Sequence, residues 1–225
     1  MKKIGINIEV DVFSRTQTTD KIISATAYNF AIGLTLCWGF AINWLMVTNM
    51  SPESIAAINP WVFFIGYFAS CFLGMCLFNR FNNQLVSSVV YNFVVVPFAL
   101  IINLMVSQYD EVLVSEAIRI TGLVTIGMMC LGSLFPAFFQ KIAGALTIAL
   151  LLVIVVELIE IFVFGVHHGI LDWIVVLIFC GYIGYDWGRA NQIPKTLDNA
   201  IDSAAALYMD IINLFLRILR ILGKK

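Results

Sequence analysis

Two aspartates near the end of an apolar sequence are the residues whose type and spacing most clearly indicate chemistry. Asp186 ends one apolar run, and Asp210 lies in the middle of the next, Asn199 to Gly223. A carboxylate at the centre of a membrane helix costs roughly 2.5 to 3.5 kcal/mol on insertion scales, so it usually faces protein or water. Two carboxylates in one desolvated site cannot both ionise cheaply, and they titrate as a unit. The pair is therefore a candidate proton-sensing switch.

A cation beside such a pair favours its charged form, and Arg80 is the candidate partner. The charge distribution between the apolar runs places Arg80 on the same side of the membrane as Asp186. The structural alternative is that these residues form only a salt bridge between helices, which would fix their register without any transport.

Polar residues continue along the helix that carries Asp210. Asp202, Ala206, Asp210, Asn213 and Arg217 recur at i, i+4, i+8, i+11 and i+15, so they share one face of a helix. A polar stripe on an otherwise apolar helix lines a water path or an interhelical network. We therefore take Asp202 and Asn213 as candidate lining residues.

Two glutamates lie in an earlier apolar run. Glu157 and Glu160 are three residues apart, and in the functional interpretation they form an acidic vestibule that concentrates cations and extends the polar lining. In the structural interpretation Glu160 reaches the membrane surface and Glu157 pairs with another helix. Arg119 is the candidate partner of Glu157, although Glu116, three residues before Arg119, could pair with it instead.

The positions of all these residues depend on a helical membrane architecture. The chain has 225 residues, of which 61% are hydrophobic and 12% are charged. Apolar runs of about 20 residues indicate spanning helices, and they are too long and uniform for barrel strands. We predict a short cytoplasmic arm (residues 1–24) and a single all-α membrane domain (residues 25–225) with seven passages: Ala25–Val47, Pro60–Phe78, Leu85–Val106, Val114–Phe135, Ile142–Phe164, Ile170–Tyr185 and Asn199–Gly223.

Basic residues at the ends of these runs predict a cytoplasmic N-terminus, with Arg80, Lys141 and Asp186 on that side. Seven full crossings would then place four basic residues at the end of the chain outside, against the positive-inside rule: Arg217, Arg220, Lys224 and Lys225. Either the last passage is partly re-entrant, or the first six runs determine the topology.

Other residue types give no second site. The five cysteines lie within apolar runs without a C-x-x-C motif, and they are interpreted as small buried hydrophobes. His167 and His168 stand beside Gly169 and are interpreted as a turn. No basic patch indicates nucleic acid. We therefore expect no cofactor and no fixed metal site, with the lipid bilayer and cations as partners.

Two segments resemble a known family, the transmembrane Bax inhibitor motif family. They are G-Y-I-G-Y-D-W (Gly181 to Trp187) and A-A-A-L-Y-M-D-I-I-N-L-F-L-R-I-L (Ala204 to Leu219), which resemble the family's closing signature. Phe78-Asn79-Arg80 also resembles its junction between helices two and three.

This resemblance implies a bundle of seven helices around a central seventh helix. It also implies a calcium leak controlled by pH, with Asp186 and Asp210 as the gating pair, transient calcium binding at these two residues, and Arg80 as their cationic latch. In a bacterium the protein would lie in the plasma membrane. The sequence departs from the family in having Arg80 alone before Phe81 and in carrying the intramembrane glutamates.

Two other classes of protein compete with a leak channel. Intramembrane aspartyl proteases also use two aspartates, and Tyr185-Asp186 fits one of their motifs. Asp210, however, follows Leu-Tyr-Met rather than Gly-x-Gly, so the flexible glycines are missing and we do not expect an enzyme. The remaining alternative is a membrane protein that does not transport, and instead modulates a protease or a stress or death pathway.

Overall fold

The regular structure of the chain is helical throughout the residues that can be described. A computed structural model describes residues 21–224 apart from residues 60, 64, 68, 71, 74–83 and 166–168, and within them it has no strand. The helices are α1 (Ala25–Asn49), α2 (Pro52–Ala56), α3 (Gln84–Val106), α4 (Glu111–Leu134), α5 (Pro136–Ile159), α6 (Gly169–Ala190) and α7 (Leu197–Leu222).

Six of the seven predicted passages fall on these helices, with ends that differ by a few residues. The second, Pro60 to Phe78, lies partly outside the described residues, within which residues 61–63, 65–67, 69–70 and 72–73 are helical. Arg80 and the histidine pair also lie outside the described residues. The fifth passage was predicted to begin at Ile142, but α5 begins at Pro136, so Lys141 lies within the helix and only Phe135 separates α5 from α4. Proline suits that first position, where no N–H is needed.

Five helical segments are long and apolar enough to cross a membrane. They are Ala25–Asn49, Val86–Val106, Glu111–Leu134, Pro136–Phe164 and Gly169–Ala190. The fifth of these segments contains Asp186. The fourth contains a π-helical turn, Glu160–Phe164, that continues α5. The protein is therefore an integral membrane protein that crosses the bilayer several times.

Helix α7 lies at the centre of the described bundle. It packs against α1, α3, α4 and α6. Side chains along its length, including Leu207, Tyr208, Leu214 and Leu219, are completely buried. By contrast, α5 packs mainly against α6 and exposes most of its apolar surface. Because α7 carries its polar residues inward, it is less apolar overall than the five segments above, which explains why composition alone does not identify it as a span.

Helices α6 and α7 form an antiparallel hairpin, and α7 runs back along the whole of α6. Lys224, just beyond α7, donates to Asp172 in the first turn of α6 at 2.8 Å. Helix α7 therefore lies beside α6 over the whole length of α6. The start of α1 lies at the other end of this hairpin, since the Ile23 N–H donates to the Lys195 carbonyl at 2.9 Å.

Glycines allow α4 to approach α6 very closely near Asp186. A Cβ on Gly132 would collide with the backbone carbonyl of Gly184, and a Cβ on Gly188 would lie 2.9 Å from the Gly132 oxygen. Small residues of this kind let membrane helices pack backbone to backbone. The last turns of α6, which carry the first aspartate, are thereby held in place by α4.

Candidate functional site

Asp186 and Asp210 lie together in the core of the bundle, as the sequence predicted. Their side chains form a hydrogen-bonding contact between α6 and α7. Both residues are buried, with 8% of Asp186 and 7% of Asp210 exposed. Two carboxyl groups can form such a hydrogen bond only when one of them carries a proton.

Arg189 is the cation that the structure places beside the pair. Its Nη2 lies 3.0 Å from Oδ1 of Asp186, one turn earlier on α6, and its Cζ lies 5.5 Å from the centroid of the Tyr185 ring. The passage that was predicted to end at Tyr185 continues as a helix to Ala190, so Arg189 lies in the last turn of α6. We call Asp186, Arg189 and Asp210 the aspartate cluster.

The linker that joins α6 to α7 is fixed by hydrogen bonds. Thr196 caps α7 by accepting from the Asn199 N–H at 3.1 Å, and the Asn199 side chain donates to the Pro194 carbonyl at 2.7 Å. Lys195 donates to the Asn191 carbonyl at 3.1 Å. An N-cap threonine of this kind satisfies one of the free N–H groups of the first turn. These bonds set the register in which Asp210 meets Asp186.

Further polar side chains surround the first turns of α7. Ser87 of α3 donates to Asp198 at 2.5 Å, and the Tyr28 hydroxyl of α1 lies 3.1 Å from the Ser203 hydroxyl. Asp202, which was predicted to line a polar pathway, is 4% exposed and lies on the same turns. Asn213, the other predicted lining residue of α7, is half-buried and donates to the Met209 carbonyl of its own helix at 2.8 Å.

A second group of charges lies at the opposite end of α6 and α7. Arg217 forms a two-point ion pair with Glu157, and its Nη1 lies 3.0 Å from Oδ1 of Asp172. Arg220 and Lys224 also contact Asp172, at 3.3 and 2.8 Å. Asp172 is completely buried. These five residues, Glu157, Asp172, Arg217, Arg220 and Lys224, are the arginine cluster.

Three of the four basic residues that conflicted with the orientation rule, Arg217, Arg220 and Lys224, contact the buried carboxylate of Asp172. The fourth, Lys225, lies outside the described residues. The prediction that Arg119 pairs with Glu157 was wrong, since the partner is Arg217. Glu160 is half-buried at the start of the π-helical turn. Asp172 was not predicted as a site residue. The signal that could have identified it is an aspartate at the start of one apolar run together with basic residues at the end of the next run.

The spacing from Asp172 to Asp186 along α6 equals the spacing from Asp210, on α7, to Lys224, just beyond the end of α7. Because both contacts, Asp186 with Asp210 and Asp172 with Lys224, occur in one straight antiparallel register, they constrain the same pair of helices. From Asp210 to Arg217 is seven residues, or about 10 Å along the helix axis. The two clusters therefore lie in series along α7.

Comparisons with known proteins agree with this architecture. The family described as inhibitor of apoptosis-promoting Bax1 matches residues 19–225. An uncharacterized membrane protein of Vibrio cholerae serotype O1 is 32% identical over 113 residues, which are 50% of each chain. A BI1-like protein of Arabidopsis thaliana is 57% identical over 47 residues, which cover 20% of this chain and 18% of the relative.

The Arabidopsis thaliana protein LIFEGUARD 1 is 39% identical over 79 residues, covering 33% of this chain and 32% of the relative. The chain thus spans half or less of the length of these curated relatives, whereas the family match extends over nearly all of it. That match includes α6, α7 and both charged clusters, and it agrees with the signature segments around the two aspartates. This multi-pass membrane protein belongs to the Bax inhibitor-1 family.

Proposed function

We propose that the protein is a pH-sensitive calcium leak in which Asp186 and Asp210 form the gating pair. In this proposal the chain crosses the cell membrane seven times, with the region of residues 60–78 as one crossing, and its N-terminus and the α6–α7 linker face the cytoplasm. Membership of the Bax inhibitor-1 family and the burial of the paired carboxyls support it.

The observation that carries the proposal is the direct contact between two carboxyl groups on neighbouring helices. At acidic pH one proton holds them together through a hydrogen bond. At alkaline pH that proton is lost, and two like charges in contact within a poorly solvated site repel each other. The packing of α7 against α6 at this point thus depends on pH, which is what a proton-controlled gate requires.

The same residues have the chemistry to pass a calcium ion. Calcium prefers carboxylate and carbonyl oxygens, and it binds transiently where few ligands hold it. Oδ2 of Asp210 is buried and has no hydrogen-bond partner among the described residues. An unsatisfied buried oxygen is uncommon in folded proteins and calls for an explanation. A cation that passes this point would be that partner, and Asp202 and Asn213 would line its path.

The arginine cluster forms the other half of the proposed pathway. Arg217 forms ion pairs with both Glu157 and Asp172. In this proposal the two glutamates, Glu157 and Glu160, act at the mouth of the pathway, and Arg80 adds a second cation near the aspartate pair. Arg189 lies 3.0 Å from Asp186, so it supplies a positive charge directly beside the pair.

Calcium efflux from proteoliposomes between about pH 6 and 8 tests the proposal. The wild-type efflux rate should change steeply with pH. Asp210→Asn should make the rate independent of pH and equal to the wild-type rate at the acidic end, because the amide donates a hydrogen bond to Asp186 at every pH. Asp186→Asn should also abolish the pH dependence.

Asp198→Asn is the matched control. Asp198 is a buried carboxylate on the same helix, but it pairs with Ser87 and lies outside the aspartate cluster. It should retain the wild-type pH profile. No calcium flux from any liposome would instead indicate a protein that acts only by interaction, and cleavage of a membrane peptide that both Asp→Asn changes abolish would indicate a protease. An unchanged pH profile in Asp210→Asn would show that the aspartate is structural.

A further inference from the structure

The bundle has an apolar cleft that none of the residues of the aspartate cluster line. It has a volume of about 400 Å³, within the range of roughly 300 to 1,000 Å³ that is typical of small-molecule sites. Helices α1 and α3 form one wall, α4 forms the other, and α7 forms the floor. Residues from each helix line it, among them Trp44, Val47, Ile102, Ile118, Gly122 and Phe215.

The cleft opens sideways, toward the region that lipid occupies. Helices α1 and α4 each pack against α7 rather than against each other. At the opening, 65% of Trp44 and 59% of Ile118 are exposed. Gly122, on the α4 wall, has no atom within 4 Å of the position of a Cβ. An apolar space of this kind does not hold water, and walls without a partner lose dispersion contacts. In a bilayer the available partner is a hydrocarbon chain.

Charged residues follow the cleft along α4. Glu111, Ser115, Glu116 and Arg119 line a pocket on the exposed side of its first turns. Within the described part of the chain, none of these three charged side chains forms an ion pair. Helix α4 has 24 residues, about 36 Å at 1.5 Å per residue, which exceeds a hydrocarbon core of about 30 Å. Its first turns therefore lie at the level of the lipid headgroups.

The order of these groups along α4 matches the order of groups in a phospholipid. Along α4 the cleft extends from Val114 to Gly122 and the charged pocket from Glu111 to Arg119, so the pocket lies beside the cleft and about one turn nearer the start of the helix. A phospholipid with a neutral headgroup presents its acyl chain, then its phosphate, then its ammonium group. Arginine pairs well with phosphate, and carboxylates pair with ammonium groups.

We propose that this surface binds one zwitterionic phospholipid of the bilayer. An acyl chain fills the cleft, the phosphate binds Arg119, and the ammonium group binds Glu116 and Glu111. This site is separate from the proposed leak, because Ile211 and Phe215 of α7 lie at its floor and the aspartate cluster does not line it. Binding at this site does not require that the protein conduct calcium.

Native mass spectrometry of the delipidated protein in detergent tests this site. Dioleoyl phosphatidylethanolamine and dioleoyl phosphatidylglycerol are added separately, since the second lipid has the same chains and phosphate but no ammonium group. One phosphatidylethanolamine should be retained by the wild type. Arg119→Gln should reduce its retention about tenfold or more, as expected for the loss of a charge-assisted contact, while Arg119→Lys should retain most of it.

Gly122→Leu fills the cleft and should abolish retention. Gly127→Leu is its matched control, because Gly127 lies on the other side of α4 and also has open space around it. Quenching of Trp44 fluorescence by phosphatidylethanolamine brominated in its chains provides a second measurement, and Gly122→Leu should remove it. Equal retention by Gly122→Leu and Gly127→Leu, or equal retention of the two lipids by the wild type, would overturn the proposal.

Discussion

Arg217 of α7 holds both carboxylate oxygens of Glu157 on α5, with Nη2 at 2.8 Å from Oε2, although these two helices share little other contact. The same guanidinium reaches Asp172 of α6. A two-point pair between arginine and carboxylate is stronger and more directional than a single hydrogen bond. One side chain thus joins α5, α6 and α7 at the end of the hairpin.

Arg217→Gln should lower the free energy of unfolding by about 3 to 5 kcal/mol, because it leaves the Glu157 carboxylate partly buried without its cation. Arg220 and Lys224 still neutralise Asp172, so the loss should come mainly from Glu157. The melting temperature of the purified protein in detergent measures it. The double variant Arg217→Leu with Glu157→Leu should be less destabilised than Arg217→Gln, since no charge remains unpaired.

Lys141→Gln removes a positive charge from an exposed position on α5 and is the control for this comparison. It should change stability by no more than about 0.5 kcal/mol. If Arg217→Gln melts at the same temperature as Lys141→Gln, the arginine cluster contributes nothing to the fold.

Arg189→Gln should move the midpoint of the pH profile of calcium efflux to higher pH. Arg189 favours the charged form of Asp186, so without it the aspartate pair retains its proton until the solution is more alkaline. Efflux from proteoliposomes at a series of pH values measures the midpoint. Arg189→Lys retains the charge and should leave the midpoint near that of the wild type. A shift to lower pH in Arg189→Gln would show that the arginine does not act on the pair in this way.

Gly132→Ala should destabilise the protein by about 1 to 3 kcal/mol, because the added methyl group would force α4 away from the carbonyl of Gly184. Gly127→Ala makes the same change on the same helix in open space. It should be neutral or stabilising by up to about 1 kcal/mol, since alanine favours a helix over glycine. Thermal unfolding of the two variants tests the close approach of α4 and α6, and equal melting temperatures would contradict it.

Asn103→Ala should lower the free energy of unfolding by about 2 kcal/mol. The Asn103 amide, which is 1% exposed, donates to the carbonyls of Met46 and Met50 at the end of α1, at 2.9 and 3.0 Å. Its loss leaves the Met50 carbonyl without this donor, while the Met46 carbonyl still accepts from the Met50 N–H at 3.0 Å. Asn49→Ala removes an exposed asparagine that bonds to its own helix, and should cost less than about 0.5 kcal/mol. Chemical denaturation of the two variants separates the buried contact from the exposed one.

The sequence was sufficient to predict the contact of Asp186 with Asp210. The two residues lie on consecutive helices joined by a short polar linker, and each stands out against an apolar background. The all-helical architecture could be predicted for the same reason, since long apolar runs have few alternatives in a membrane. The ends of the helices could be predicted less well. Because Arg189 is polar, the predicted passage did not include the last turn of α6.

The partner of Glu157 could not be predicted in the same way. Arg119 and Arg217 both lie at a suitable depth, and hydropathy does not specify which helices are neighbours. The choice is made by packing, because α5 lies against α6, which brings it near the end of α7. Asp172 was missed because an acidic residue in the first turn of a helix is common and favourable in itself. Its role depends on residues about fifty positions later in the chain.

The helix around which the others are arranged is also the last of the described helices to leave the ribosome. Until α7 is inserted, the Tyr28 hydroxyl lacks its contacts with Asn199 and Ser203, and the Tyr91 ring lacks its contact with Tyr208. The core can therefore close only after α7 has been inserted beside the earlier helices. A nascent chain stalled before α7 should be recognised by membrane quality control even though its preceding segments are correctly inserted.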